Sequence, residues 1–489
     1  MNLLRKRWFY AVLFKGLFIC LFSYAEDFSI DDYPLVAKEH TAWDLAGAED
    51  RIDALRKGDF SVIVHLESGE SAPLGSEYSL KQIKHSFLFG GSLAADWSVP
   101  EKNWYPQFKD YFSRLFNYAT VNFYWASHEK ERGKWDYESA PLSNEIFCWA
   151  KDQGMIIKGH PLMWHQVLPD WIEDSKRSVR KIDKDVKRHV KNLIVNYPEI
   201  DHWDLYNEVP GIIWKDEDLG MRRWQEYKGN KIIDNAFVSG PGYVTKAVMD
   251  IAQKYRPKGY YVINHYQHDD PFYHKQIQFC LENGVDFDAI GIQTHMHSVT
   301  QSFSEEDLWS ALESFRPYGK PIFLSEVSIL SCGIFEDWRG LDVQEKAWQH
   351  AIDNSLPIPL IEGSPELEHY QAALTRDFYT LAFSHPLVES ITWWTITDLD
   401  PWRGMPSGLL TIDGQPKPVY YVLDELINQQ WNTSKKGKLS NKATVHFRGF
   451  YGSYELMINI NGQPYVGYFD ATKGEDRDII LTVYENEKG

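Results

Sequence analysis

The chain has 489 residues and a formal net charge of −18, with a pI near 5.4. At that length it can bury one large core and still carry smaller modules, and 43% hydrophobic against 25% charged residues is the balance of a soluble globular protein. So acidic a chain argues against binding nucleic acid through phosphate neutralisation. Its 19 Trp and 28 Tyr residues are mostly core material, but flat amphipathic rings also suit the faces of sugars. A sugar-lined groove is the expected use of some of them.

Lys6 and Arg7 precede a mostly apolar run over residues 8–22, broken once by Lys15, and Ser23-Tyr24-Ala25 places small residues where a signal peptidase needs them. Residues 1–25 are therefore expected to be a signal peptide. The mature chain would begin near Glu26 and be secreted, periplasmic or at the cell surface. The run is too short and too charged for a membrane anchor, and bulky Phe18 and Ile19 ahead of Cys20 argue against lipidation. No later segment is long and apolar enough to span a bilayer, so no stable membrane insertion is expected once the signal is removed. Cys148, Cys280 and Cys332 are widely spaced and form no Cys-x-x-Cys, which predicts neither a disulfide framework nor a structural zinc. A monomer is expected. Residues 26–86 read as an N-terminal segment with a short helix over 48–57 and strands near 60–66 and 78–80.

From residue 87 the pattern changes to strands alternating with amphipathic helices. Eight strands are predicted, at 87–92, 116–123, 155–164, 202–208, 260–266, 289–296, 321–329 and 389–398. A helix over 144–153 stops at Gly154, one over 185–196 is followed by Pro198, and the stripe of Val244, Val248, Ile251 and Tyr255 ends at Pro257. Ser304 and Asp307 predict a capping box ahead of Leu308, Leu312 and Phe315. Leu374, Phe378 and Leu381 mark a seventh helix, and residues 419–431 an eighth. The predicted fold class is α/β: a (β/α)8 TIM barrel over 87–431, with small accessory β modules at both ends. The alternative, a doubly wound open sheet, lacks a Gly-x-Gly-x-x-Gly after the first strand. Residues 432–489 read as a polar linker, Asn432-Thr-Ser-Lys-Lys-Gly-Lys438, and a C-terminal β module with a hairpin turn at Asn461-Gly462. Neither end holds enough residues for its own core, so a shared sandwich is expected.

His202-Trp-Asp-Leu-Tyr-Asn-Glu208 and Pro321-Ile-Phe-Leu-Ser-Glu326 each run a hydrophobic strand into a glutamate. In a barrel the C-terminal strand ends converge on one face, so Glu208 and Glu326 are expected to meet there. Two facing carboxylates can cleave a glycosidic bond, one protonating the leaving oxygen while the other acts at the anomeric carbon. His160 and Trp164 flank the end of the third strand. Gln293, His295 and His297 alternate along the sixth and share a face, and Trp394 and Trp402 bracket the exit of the eighth. These residues suit hydrogen bonding to hydroxyls. A zinc site built from His160, His295, His297 and a glutamate is the alternative reading. Nothing in the pattern requires a metal or other cofactor.

These segments resemble glycoside hydrolase family 10, whose best-known members are retaining endo-β-1,4-xylanases. The resemblance rests on Gly159-His-Pro-Leu-Met-Trp-His165, Trp203-Asp-Leu-Tyr-Asn-Glu208, Gly291-Ile-Gln-Thr-His295, Phe323-Leu-Ser-Glu326 and Ile391-Thr-Trp-Trp-Thr-Ile-Thr-Asp-Leu-Asp-Pro-Trp-Arg403, in the family's order. It implies a (β/α)8 barrel with Glu208 as acid/base and Glu326 as nucleophile. It implies that Asn207 holds the 2-hydroxyl of the sugar bearing the reacting carbon. His160, Trp164, Gln293 and His295 would line the same subsite, His295 bonded to the nucleophile, with Trp394, Trp402 and Arg403 as its aromatic wall and rim. The implied substrate is a polysaccharide or oligosaccharide, xylan first, with no cofactor.

Three positions depart from the family pattern. Where xylanases carry Thr-Pro-Glu-Asn-x-x-Lys-Trp after the second strand, to grip the next sugar along, this chain has the shorter, aromatic Ala119-Thr-Val-Asn-Phe-Tyr-Trp125. The Asp usual two residues after the nucleophile is Ser328, and the usual Asn-Asp-Tyr of the fifth strand is Asn264-His265-Tyr266. The loop after Glu208 and the stretch 331–365 are long. These departures keep two alternatives open: the same chemistry on another β-glycan, such as a decorated xylan or a β-glucan, and a weakly catalytic carbohydrate-binding protein.

Overall fold

The computed structural model describes residues 35–36, 40–93, 102–136, 144–173, 177–211, 213–216, 220–223, 232, 240–336, 338–354, 356–399, 401–474 and 478–486. The expected signal peptide lies outside the described residues. Eight parallel strands close into a barrel: β1 (Leu88–Ser92), β2 (Tyr118–Asn122), β3 (Ile156–His160), β4 (His202–Asp204), β5 (Tyr260–His265), β6 (Ala289–Ile292), β7 (Ile322–Ile329) and β8 (Val388–Trp393). Each pairs with the next in sequence. The β6–β7 register, Ile290 opposite Ile322, and the β8–β1 register, Ser390 opposite Leu88, complete the ring. The (β/α)8 class is therefore borne out. Parallel strands covered by helices are buried on both faces, and β1, β2 and β7 are buried at every residue. At Gly159 on β3 the six-membered edge of Trp203 occupies side-chain space: a Cβ would stand 2.3 Å from it.

Several predicted strands are shorter than the apolar runs that suggested them. The third stops at His160, because Pro161 offers no N–H to the ladder, and Met163–Trp164 pairs separately with Tyr206–Asn207. The sixth breaks between Ile292 and His295–Met296, where Thr294 takes a positive φ of 57°. The eighth ends at Trp393. The third helix starts at Val179 rather than 185, since its charged first turns face solvent and carry little apolar pattern. The stretch 331–365 holds a short strand, Ile334–Phe335, paired with Leu35–Val36, and a helix, Trp338–Asp353. After Glu208 come a 3-10 turn, Val209–Gly211, and a hairpin of Ile213–Asp216 with Gly220–Arg223.

A seven-stranded sheet lies beside the barrel, in the order Ser434–Lys438, Glu77–His85, Gly452–Ile460, Gln463–Ala471, Asp478–Glu485, Lys57–Leu66, Thr444–Phe450. Residues 434–438, read from sequence as linker, are its edge strand against Glu77–His85. Lysines at an edge point to water and disguise the strand. Both ends of the chain share one core: Phe60, Val62 and Leu80 pack with Phe447, Leu456 and Val483. The sheet meets the barrel through aromatic rings, His85 against Phe89 at 5.3 Å and Phe383 at 5.7 Å, and Phe450 against Phe383 at 6.1 Å.

Candidate active site

Glu208 stands where β4 has ended. Its φ of 58° turns the side chain out of the strand, and its N–H donates to the carbonyl of Asn264 on β5 at 3.0 Å. A non-glycine residue in this region is held there by its surroundings. Gln293 Nε2 donates to Glu208 Oε1 at 2.6 Å and Trp164 Nε1 donates to Oε2 at 3.1 Å. Glu326, on β7, is 4% exposed. Asn264 Nδ2 donates to its Oε1 at 2.8 Å, and His295 Nε2 lies 3.3 Å from its Oε2.

Burial raises the pKa of both carboxyls. For Glu208 the Gln293 hydrogen bond opposes that rise and the charge of Glu326 adds to it. For Glu326 the positive fields of His160 and Lys158 oppose it. Beneath the pair sits a buried triad: Lys158 Nζ lies 3.0 Å from Asp204 Oδ2, which also meets His160 Nδ1 at 2.6 Å. Burial alone would push Asp204 up, but Lys158 and His160 together hold its carboxyl below the usual range.

The residues singled out from sequence form one connected cluster. Asn207 Oδ1 accepts from Asn264 Nδ2 at 3.0 Å, which joins it to Glu326. His295 packs on Trp402 at 4.5 Å, and Arg403 lies 4.0 Å over the Trp402 ring. Trp394 is edge-on to both His160, at 5.6 Å, and His295, at 6.1 Å. His295 is neutral: burial, then Arg403 and His160, hold its pKa well below the usual value. Its Nδ1 meets Ser328 Oγ at 2.8 Å, while His160 turns its Nδ1 to Asp204. Among the described residues, no group of three or more His, Cys, Asp or Glu is placed to hold a metal ion. No helix among them is long and apolar enough to cross a membrane.

Two carboxylates at the C-terminal strand ends of a barrel, Glu326 buried and Glu208 half-buried, suit glycosidic-bond cleavage. A model of glycosyl hydrolase family 10 matches residues 81–426. The chain belongs to glycosyl hydrolase family 10. This family 10 chain is thereby a glycoside hydrolase. It is 24% identical to endo-1,4-beta-xylanase B of Thermotoga neapolitana over 354 residues, 68% of this chain and 86% of that protein. It is 22% identical to endo-1,4-beta-xylanase 2 of Arabidopsis thaliana, over 83% of this chain and 33% of that protein. Native xylanase 10B from Thermotoga maritima shares the fold, with a TM-score of 0.53 at 20% identity over 71% of this chain and 96% of that one.

The family 10 chain also uses residues that sequence reasoning did not place. Asn264 is the hub of the site: its amide donates to Asn207 and Glu326, and its Oδ1 accepts from Ser325 Oγ at 2.6 Å. An asparagine inside an apolar strand was the available signal, since a buried amide demands partners. Lys158 and Asp204 carried a similar signal, as charges within buried strands. Tyr124 carried none beyond aromatic content. The rim is braced by the inserted helix Trp338–Asp353, whose Glu345 Oε2 lies 2.9 Å from Arg403 and whose Gln344 donates to the Arg403 carbonyl at 2.8 Å.

Proposed function

We propose that the family 10 chain is a secreted, retaining endo-β-1,4-xylanase, active as a monomer on polysaccharide or oligosaccharide substrate without a cofactor. The observation that carries this reading is the pair of carboxyls at the barrel's C-terminal strand ends, Glu208 held by Trp164 and Gln293 and Glu326 by Asn264 and His295. Glu208 is pushed towards its protonated form by burial and by the charge of Glu326. Burial raises the Glu326 pKa as well and the charge of Asp204 adds to the rise, while His160, Lys158 and the Asn264 hydrogen bond that orients it oppose it. On this reading Glu208, as the acid, is the member of the pair that holds the proton, and Glu326 is the one that ionises.

The Glu208 proton passes to the glycosidic oxygen as the bond from that oxygen to the anomeric carbon breaks. A Glu326 oxygen bonds to the anomeric carbon, giving a covalent glycosyl-enzyme. Water then attacks the same carbon, Glu208 takes its proton, and Glu326 leaves as carboxylate. Trp164 and Gln293 keep Glu208 aimed, and His295 and Asn264 keep Glu326 aimed. Export is supported by Lys6, Arg7 and the apolar run that follows them.

Product release from linear xylan, glucuronoxylan, arabinoxylan, mixed-linkage glucan and β-1,3-xylan tests the reading, with wild type beside Glu326→Ala. Release from linear xylan with the β-anomer formed first, lost by several orders of magnitude in the variant, is the expected result. Glu208→Ala should lose xylan but keep aryl glycosides whose leaving group needs no proton. Unchanged hydrolysis in Glu326→Ala would overturn the assignment. A second reading, the same chemistry on a decorated xylan or another β-glycan, is favoured by the aromatic segment 119–125. Activity confined to those members of the panel would establish it.

A further inference from the structure

The stretch 331–365, inserted after β7, grips the rim of the site at two places. Its strand Ile334–Phe335 joins the end of β6, where the Phe335 N–H donates to the His297 carbonyl at 3.2 Å. Its helix Trp338–Asp353 holds the loop that follows β8. Gln344 Nε2 donates to the carbonyls of Arg403, at 2.8 Å, and Pro359, at 2.9 Å. The Ile361 N–H donates to the Gly404 carbonyl at 2.9 Å. Arg403 takes a φ of 60°, a left-handed conformation that a side-chain-bearing residue keeps only where its surroundings impose it. Its guanidinium lies 4.0 Å over the ring of its own neighbour, Trp402, and Glu345 Oε2 stands 2.9 Å from Arg403 Nη2. Trp402 in turn meets His297 at 5.2 Å and His295 at 4.5 Å, and His295 Nε2 lies 3.3 Å from Glu326 Oε2. A continuous line of contacts therefore runs from the insert to Glu326.

On the hydrolytic reading above, we infer that Glu345 is a positioning residue for the reaction: through Arg403 it holds the Trp402 ring against His295, and so keeps that imidazole aimed at Glu326. His295 is otherwise held by the Ser328 hydroxyl at 2.8 Å and by the long contact to Glu326 itself. The ring packed on it therefore limits how far it can turn. The Glu345 side chain is 46% exposed, so its ion pair is partly screened and adds little to the stability of the fold. It can still orient one side chain, and a small misplacement beside a reacting group is costly in rate. The insert thus belongs to the machinery of the site, although it supplies no group that touches the reacting atoms.

The test is a double-mutant cycle read on an aryl β-xyloside. Glu345→Gln keeps the shape of the side chain and removes its charge. Its kcat/KM should fall by about fivefold, carried by kcat, with KM within about twofold of wild type and the melting temperature within about 1 °C. Glu345→Asp, which restores the charge, should recover part of the loss. Arg403→Ala should lower kcat/KM at least as far, and adding Glu345→Gln to it should cost nothing further, because the two act in series. A Glu345→Gln kcat/KM within about twofold of wild type, or a double variant in which the two losses multiply, would overturn the inference. So would a loss matched by a melting temperature several degrees lower, since Glu345 would then be holding the fold. If wild type turns over no β-glycoside, the hydrolytic reading fails, and the positioning is read directly by NMR of histidine-labelled protein. Solvent exchange of the His295 Nε2 proton should then quicken by about fivefold in Glu345→Gln, and an unchanged rate would overturn the inference.

Discussion

At the C-terminal end of the barrel, Glu326 is 4% exposed and is met by one amide and one long imidazole contact, so burial leaves its charged form disfavoured. At the opposite end, Arg56 Nε and Nη2 donate to the carbonyls of Phe383, His385 and Val388 at 2.7–2.8 Å, and the guanidinium lies over Phe87 and Phe383. Burial lowers the Arg56 pKa to about 10, with Glu389 opposing. Both ends desolvate charge. At one end the charge is left poised to change its protonation state. At the other it is saturated with acceptors, and it ties the accessory sheet to the strand ends. Reactivity and cohesion therefore sit at opposite ends of the same eight strands, which is the division of labour expected of this fold.

The largest expected effects break that comparison at the reactive end. Glu326→Gln and Glu208→Gln should each lower kcat on xylan by about a thousandfold or more. Neither should lower the melting temperature, because an isosteric amide relieves the burial of a carboxylate. A melting temperature several degrees below wild type in either variant would show that the site also holds the barrel together. The complementary break is Arg56→Ala. It leaves three buried carbonyls without their donor and should cost roughly 3 kcal/mol in denaturant unfolding. Below the melting range its kcat/KM should stay within about twofold of wild type. Equal losses of stability and activity would mean that the two ends are coupled.

A smaller effect concerns buried histidine. His128 is stacked between Phe123 at 5.4 Å and Trp135 at 5.2 Å, and neither ring nitrogen meets a hydrogen-bond partner among the described residues. Burial lowers its pKa to about 3, with Asp136 opposing. The unfolded chain takes up a proton near the ordinary value of 6.5, and the folded chain does so only near 3. Stability from this group is therefore complete above about pH 6.5 and falls as the pH drops towards 3. His128→Phe keeps the stack and removes the proton. It should stabilise the fold by about 1 kcal/mol at neutral pH and flatten the acid dependence of the denaturation midpoint. An unchanged acid slope would assign that dependence to other groups.

The reactive end was far more legible in the sequence than the cohesive end. A barrel strand buried on both faces writes an apolar run, and a glutamate closing it stands out. The runs overstated strand length because Pro161 and the turn at Thr294 interrupt pairing without interrupting hydrophobicity. Arg56 was invisible. Its partners are backbone carbonyls more than 300 residues away, and carbonyls carry no residue signature. Ser434–Lys438 was hidden by the lysines that protect an edge. Asn264 could be seen as an oddity of its strand but not as a hub, because its three partners come from β7 and the end of β4.

The finest comparison lies within the reactive end, at Ser328. A carboxylate can only accept, so the 3.3 Å contact to Glu326 requires His295 to carry its proton on Nε2, and Nδ1 then accepts from the Ser328 hydroxyl at 2.8 Å. With the imidazole neutral, it lends Glu326 a dipole and no charge. Ser328→Asp would place a carboxylate at Nδ1, and His295 would gain a second anionic partner. Its imidazolium form would be favoured, and a cation beside Glu326 would favour the ionised form of that carboxyl. On the retaining mechanism proposed above, activity requires Glu326 ionised, so a lower Glu326 pKa extends activity to lower pH. The acid limb of kcat/KM should move down by about one pH unit. The limb governed by deprotonation of Glu208 should move less, since His295 makes no contact with that carboxylate in the hydrogen-bond pattern found here. An acid limb that stays in place would mean that Lys158 and His160, rather than the Ser328–His295 pair, set the charge of Glu326.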